Sequence, residues 1–162
     1  MPAVSRRGRS VLPALILVAL FGAGCSTLER SSSSPPAHSF TNVYAQIIHL
    51  TCSNDFCHYN GVGIRYSALD MSSQVYAYWG LVGQPCSGPS CSEMGTRVIP
   101  GQPENSILYL KVSEAMPPCG SQMPADPAVL TASGTSVFSG NALSDDQQQL
   151  IYDWIEEGAQ NN

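Results

Sequence analysis

The stretch "LTCSNDFCHYNG", Leu50 to Gly61, places Cys52 and Cys57 with four residues between them and sets His58 directly after the second thiol. Two thiols and an imidazole in so short a run can be joined to each other, can serve a metal ion, or can bond a cofactor covalently. The segments on either side bear on which of these the chain uses.

Upstream, Arg6, Arg7 and Arg9 give a positive start, "VLPALILVALF" is an apolar run of eleven, and small residues lead to Cys25. This order of charge, apolar run and small residues is that of an export signal. Eleven residues fall short of the roughly 20 that span a bilayer. An export signal over 1–25 is therefore expected. Cys25 after "GAG" resembles the lipid-bearing cysteine of bacterial lipoproteins. That resemblance implies lipidation at Cys25 and anchoring to a membrane, at the periplasmic or outer-membrane and cell-surface side. Ser26, where an aspartate would mark retention, is similar to lipoproteins sorted to an outer membrane. Cleavage without lipid is the alternative.

Residues 26–38, "STLERSSSSPPAH", are rich in Ser and Pro without apolar periodicity, the composition of a flexible tether. One small domain is expected over 39–162. From Ser26 onward Arg30, Arg65, Arg97 and Lys111 face twelve acidic residues. Nucleic acid, whose binding rests on neutralising phosphates, is excluded as a natural partner for such a surface.

Within 39–162, Phe40, Val43, Tyr44, Ile47 and Ile48 recur on one helical face, with Ser39 or Thr41 as the N-cap, and this helix runs into Cys52. At the far end, "SDDQQQLIYDWIEEGA" pairs Ser144 with Gln147 as a capping box. Its stripe is Leu150, Ile151, Trp154 and Ile155, and Gly158 closes it. Two shorter helices are expected between. Val75, Tyr78, Trp79 and Val82 share a face before Gly83, and Pro103 opens a helical turn that buries Ile107, Leu108 and Leu110. "GIRYSALDM" reads as a short extended piece. "GQPCSGPSC" and "MPPCGSQMPADP" must be loops, because their prolines and glycines break regular structure. The fold class is mainly α, small and loop-rich.

Covalent haem attachment by the c-type pattern uses two cysteines and a histidine directly after the second, usually C-x-x-C-H. "CSNDFCH" keeps the Cys57–His58 junction and lengthens the loop to C-x4-C, so the loop must bulge outward. No proline follows closely to offer a carbonyl to the His58 ring. Opposite the proximal histidine, haem iron takes Met or a second His. The chain has three histidines, with His38 in the tether and His49 on the entering helix. Methionine is the better candidate: Met116 and Met123 each precede a proline, which holds the preceding residue extended.

The chain from Phe40 to about Ala159 resembles the class I cytochromes c, and more closely the cytochrome c-like domains of bacterial lipoproteins. The resemblance rests on the helix into "CSNDFCH", the middle "VIPGQPENSILYLKV", the "MP" loop in "CGSQMP" and the closing helix "LSDDQQQLIYDWIEEGA". It implies crossing N- and C-terminal helices with aromatic contacts that Phe40, Tyr44 and Trp154 would make. It implies one haem c, held covalently through Cys52 and Cys57, with His58 and Met123 as ligands of the iron. The implied function is single-electron transfer to a transient redox partner protein, a carrier and not an enzyme.

Other readings of the same residues stay open. A Cys52–Cys57 disulfide would make a haem-free, stapled module for surface interaction or structure. Cys86 and Cys91 repeat the C-x4-C spacing, and with Cys52 and Cys57 could form a four-thiolate zinc site. In an oxidising compartment one structural disulfide among Cys86, Cys91 and Cys119 is the preferred reading, its pairing undetermined. Arg65 and Arg97 are expected as solvated charges, with a haem propionate as the alternative partner. No Ser, His and acid arrangement points to hydrolysis, and Asp145 with Asp146 are explained as helix N-terminal charges.

Overall fold

Ser39 caps the first helix, its hydroxyl accepting from the Asn42 N–H at 3.2 Å. The computed structural model describes residues 35–53, 57–59, 68–125 and 142–162. Helix α1, Phe40–Val43, passes directly into a π-helix over Tyr44–Cys52. The sequence predicts one regular helix here. Over nine residues, apolar spacing does not separate a 3.6-residue turn from a wider one. Phe40, Val43, Ile47 and Ile48 stay buried through the change. The wider winding thus re-aims the end of the helix, where Cys52 stands, and keeps the core face. Such π turns are rare and concentrate at functional sites.

Helix α2, Gln74–Leu81, is capped by Ser73, whose hydroxyl accepts from the Tyr76 N–H. Its buried face differs from the predicted one. Val75 and Trp79 are 60% and 65% exposed, while Ala77 and Leu81 face the core. Gly80 explains the choice: a Cβ there would stand 2.8 Å from Leu69 Cδ1. This helix packs through its small residues, a geometric requirement that hydrophobicity alone does not reveal. Tyr78 turns inward, edge-on to Phe40 at 5.2 Å, and donates its hydroxyl to the Ala159 carbonyl.

A 3-10 turn at Pro103–Asn105 leads into α3, Ile107–Ser113. Ser106 joins them from a fully buried position. Its hydroxyl donates to the Gln102 carbonyl at 2.8 Å and accepts from the Ile99 N–H at 2.8 Å. Helix α4, Asp145–Glu156, carries the expected capping box between Ser144 and Gln147. Gly158 and Ala159 donate back to Ile155 and Trp154 and close it.

The core lies where α1 and the π-helix meet α4. Phe40 packs on Trp154 with ring centroids 5.0 Å apart, and on Tyr44 at 6.3 Å. Thr41 adds its N–H and hydroxyl to the Asn162 carbonyl. Tyr109 of α3 meets Tyr152 of α4 edge-on at 5.2 Å. Among the described residues there are no strands. Two isolated bridges, Val82 with Val98 and Pro85 with Thr96, tie the loop after α2 to the chain before α3. The fold is mainly helical.

Cys91 and Cys119 form a disulfide across a sequence separation of 28. A loop of that length gives about 3–4 kcal/mol by chain entropy. The pairing left open by the sequence is thereby settled, and it removes Cys91 from the four-thiolate zinc arrangement. No group of three or more metal-ligating side chains occurs among the described residues. None of their helices is long and apolar enough to cross a membrane. The export signal at 1–25, the tether as far as Ser34, Arg65 and most of "GIRYSALDM" lie outside the described residues.

Candidate functional site

A cavity of about 440 Å³ opens between the end of the π-helix, the turn at His58, the loop holding Cys86 and Cys91, α3, and the loop holding Met123. Cys52, Cys57, His58 and Met123 all line it. The four residues singled out from the sequence, three at the end of a helix and in the turn after it and one far along the chain, are brought to one place. Met116 is 89% exposed on the surface. His49 is exposed and stacks on Tyr44, and His38 sits against α4 carboxylates.

The turn that joins the two cysteines is closed by its own backbone. The His58 N–H donates to the Cys52 carbonyl at 3.1 Å. Residues 54–56 of the lengthened loop lie outside the described residues, yet this bond brackets them and holds His58 beside the end of the π-helix. The His58 carbonyl in turn accepts from the Met71 N–H at 2.7 Å.

His58 Nδ1 lies 3.4 Å from the Leu69 carbonyl oxygen. A carbonyl only accepts, so the proton belongs on Nδ1 and the lone pair is left on Nε2. This is how a ligating imidazole is commonly held. The sequence contains no proline beside the motif to supply that carbonyl; Leu69, eleven residues on, supplies it. Burial pushes the His58 pKa down, against a smaller upward pull from the Leu69 carbonyl, and Arg97 and Lys111 push it further down. The imidazole is kept neutral, the form that binds metal. Burial pushes the Cys52 thiol up to about 12, with Cys57 adding to the effect. At neutral pH Cys52 is protonated and uncharged.

Two cations complete the wall. Arg97 is 9% exposed, so the expectation of a solvated surface charge is corrected. Its guanidinium donates from Nη1 to the Gly80 carbonyl at 2.7 Å and from Nη2 to Ser87 Oγ at 2.8 Å and the Ala68 carbonyl at 3.2 Å. A fork with several donors can satisfy three oxygens on three segments, which recruits it inward. Lys111 of α3 donates to the Ser121 carbonyl at 2.9 Å. Burial lowers the pKa of both. The Lys111 carbonyl accepts from the Met123 N–H at 2.7 Å, which fastens the methionine loop to α3.

Sequence reasoning missed Met71, Cys86 and Lys111 as cavity residues. Lys111 sits on a helix read as an apolar stripe, and a single cation in such a stripe gives no sign of which way it turns. Met71 carries no spacing signal, and the C-x4-C spacing of Cys86 and Cys91 points to a disulfide or a zinc site and not to this cavity. Comparison with protein-family models, with curated proteins and with solved structures finds no match.

Proposed function

We propose that this chain is an exported monohaem carrier of the c type that transfers single electrons. Cys52 and Cys57 would hold the haem covalently, with His58 and Met123 on the iron. The observation that carries this reading is the convergence of these four residues on one cavity.

The residues present fit the group. The cavity volume falls within the range of pockets that enclose a small molecule or cofactor. Leu69, Leu81, Leu108 and Val112 offer it apolar walls. A neutral imidazole and a thioether form the axial donor pair of many c-type cytochromes. Arg97 and Lys111 would face the propionates of the same group. Met71 also lines the cavity, but its backbone is bonded to that of His58, which places it beside the proximal histidine; Met123 comes from a separate loop. When bound, haem supplies the one-electron chemistry, while the protein supplies burial, ligands and orientation. The Phe40–Trp154 contact between the first and the closing helix supports a cytochrome c-like frame. The acidic surface and the signal at 1–25 support a periplasmic or cell-surface carrier, tethered through Cys25, that meets its redox partner transiently.

The test is intact mass and visible spectrum of the mature protein from a periplasm equipped for haem attachment. The expected result is one added haem and sharp bands in the reduced state. A colourless protein at bare polypeptide mass, with Cys52 and Cys57 joined as a disulfide, would replace this reading with that of a haem-free helical module.

A further inference from the structure

Three cysteines share one buried cluster outside the attachment motif. Cys86, Cys91 and Cys119 pack into it with Ile107; Cys91 and Cys119 are joined as the disulfide, and Cys86 keeps its thiol. The loop that carries Cys86 and Cys91 is tightly wound. The Cys86 N–H donates to Gly95, the Cys86 carbonyl accepts from Glu93, and the Cys91 N–H donates to Gly88. Cys119 stands on the other side of the disulfide, four residues before Met123. The disulfide is therefore the covalent tie between the Cys86 loop and the methionine loop.

A charge is stationed at this tie. Gly120 has φ +60, and a Cβ there would stand 3.0 Å from Lys111 Nζ and 3.7 Å from Cys91 Sγ. The ammonium thus sits close to the disulfide, where it would stabilise a thiolate forming at it.

We propose that Cys86, Cys91 and Cys119 form a thiol–disulfide exchange site that fastens or frees the loop carrying Met123, with Cys86 as the internal nucleophile. Cys86 loses its proton and its sulfur attacks Cys91 Sγ. A Cys86–Cys91 bond forms, the Cys91–Cys119 bond breaks, and the electron pair leaves on Cys119 Sγ, which takes up a proton from solvent. Nothing is oxidised or reduced overall, and no outside reagent is needed. The exchange stands on the cluster alone; its effect at an iron rests on the haem reading above.

Burial pushes the Cys86 thiol up, and Arg97 and Lys111 only partly offset this. The thiolate is the attacking species, so exchange is slow at neutral pH and accelerates about tenfold per pH unit below the thiol's pKa.

The experiment incubates the mature protein, haem included if it is attached, at a series of pH values from neutral upward. Each sample is quenched in acid, alkylated and peptide-mapped. The expected result is a Cys86–Cys91 cross-link with Cys119 alkylated, rising with pH as stated, and a Cys86→Ser variant that retains Cys91–Cys119 alone. Quantitative alkylation of Cys86 with Cys119 always cross-linked would overturn the proposal, as would a Cys86–Cys119 link, which leaves the methionine loop tied. In haem-bearing protein the methionine-to-iron charge-transfer band should fade in step with the exchange; an unchanged band would sink the loop-freeing half. The same map reads Cys52 and Cys57 directly. Thioethers absent from those two, with exchange observed, would refute the haem reading and leave the exchange site standing.

Discussion

The Phe40 ring lies 5.0 Å from that of Trp154 and is tilted to it by 35°. Both side chains are essentially without solvent contact. The contact holds the start of the helix that ends in Cys52 against the closing helix, so the placement of the motif is inherited from a core contact twelve residues upstream of it.

Phe40→Ala is accordingly expected to cost roughly 3–5 kcal/mol, the range for large aromatic truncations in a core. Phe40→Leu should cost clearly less, because it keeps most of the volume. Urea unfolding of the two variants checks this. Equal and small losses would mean that the helix is held by its other contacts.

Met123 and Met116 give the sharpest local comparison, since one lines the cavity and the other is 89% exposed. In haem-bearing protein Met123→Ala should leave the covalent mass unchanged and alter the spin state and potential of the iron. Met116→Ala should leave the attachment, the spin state and the potential all unchanged. The reverse pattern, read from visible and magnetic spectra, would move the distal ligand to the other loop.

What could be read from the sequence was local and chemical. Ser39 and the Ser144–Gln147 box are legible because a cap is a matter of one side chain and the backbone three residues on. His58 and Met123 are legible because their neighbours, a cysteine and a proline, restrict what they can do. The π winding from Tyr44 to Cys52 is not, since the same apolar residues serve either helix. Nor is the inward face of α2, which follows from the close approach of Gly80 to Leu69. The Leu69 carbonyl at His58 and the Cys91–Cys119 pairing both depend on how distant segments meet, and a spacing pattern holds no record of that.

Arg97 offers a second test of such long-range assembly. Its guanidinium joins Gly80, Ala68 and Ser87, on three separate segments of the chain. Hydrogen bonds from a charged donor contribute about 1.5–3 kcal/mol each, and buried acceptors left alone cost more than the bond was worth. Arg97→Gln should therefore destabilise the domain by on the order of 3 kcal/mol. Arg97→Lys should recover only part of this, because an ammonium cannot span the three oxygens. Thermal melts of both variants decide it, and a fully restored Lys variant would show that charge alone matters at this position.

His38 gives a pH dependence whose sign is fixed by its partners. Nδ1 lies 2.7 Å from Glu157 Oε1 and Nε2 lies 3.6 Å from Asp153 Oδ2, on the exposed face of α4. The hydrogen bond to Glu157 is the largest cause of a raised pKa, partly offset by desolvation, with the charges of Glu157 and Asp153 adding to the rise. A histidine whose pKa is higher folded than unfolded stabilises the fold fully below the unfolded value of 6.5, and loses that contribution as pH climbs through the raised folded value. The melting temperature of the wild type should thus exceed that of His38→Gln at about pH 5.5, and the difference should shrink as pH rises beyond neutrality and as salt is added. A gap that widens with pH would mean that His38 holds the α4 carboxylates as a neutral donor, and the clasp between the start of the domain and its last helix would then owe nothing to charge.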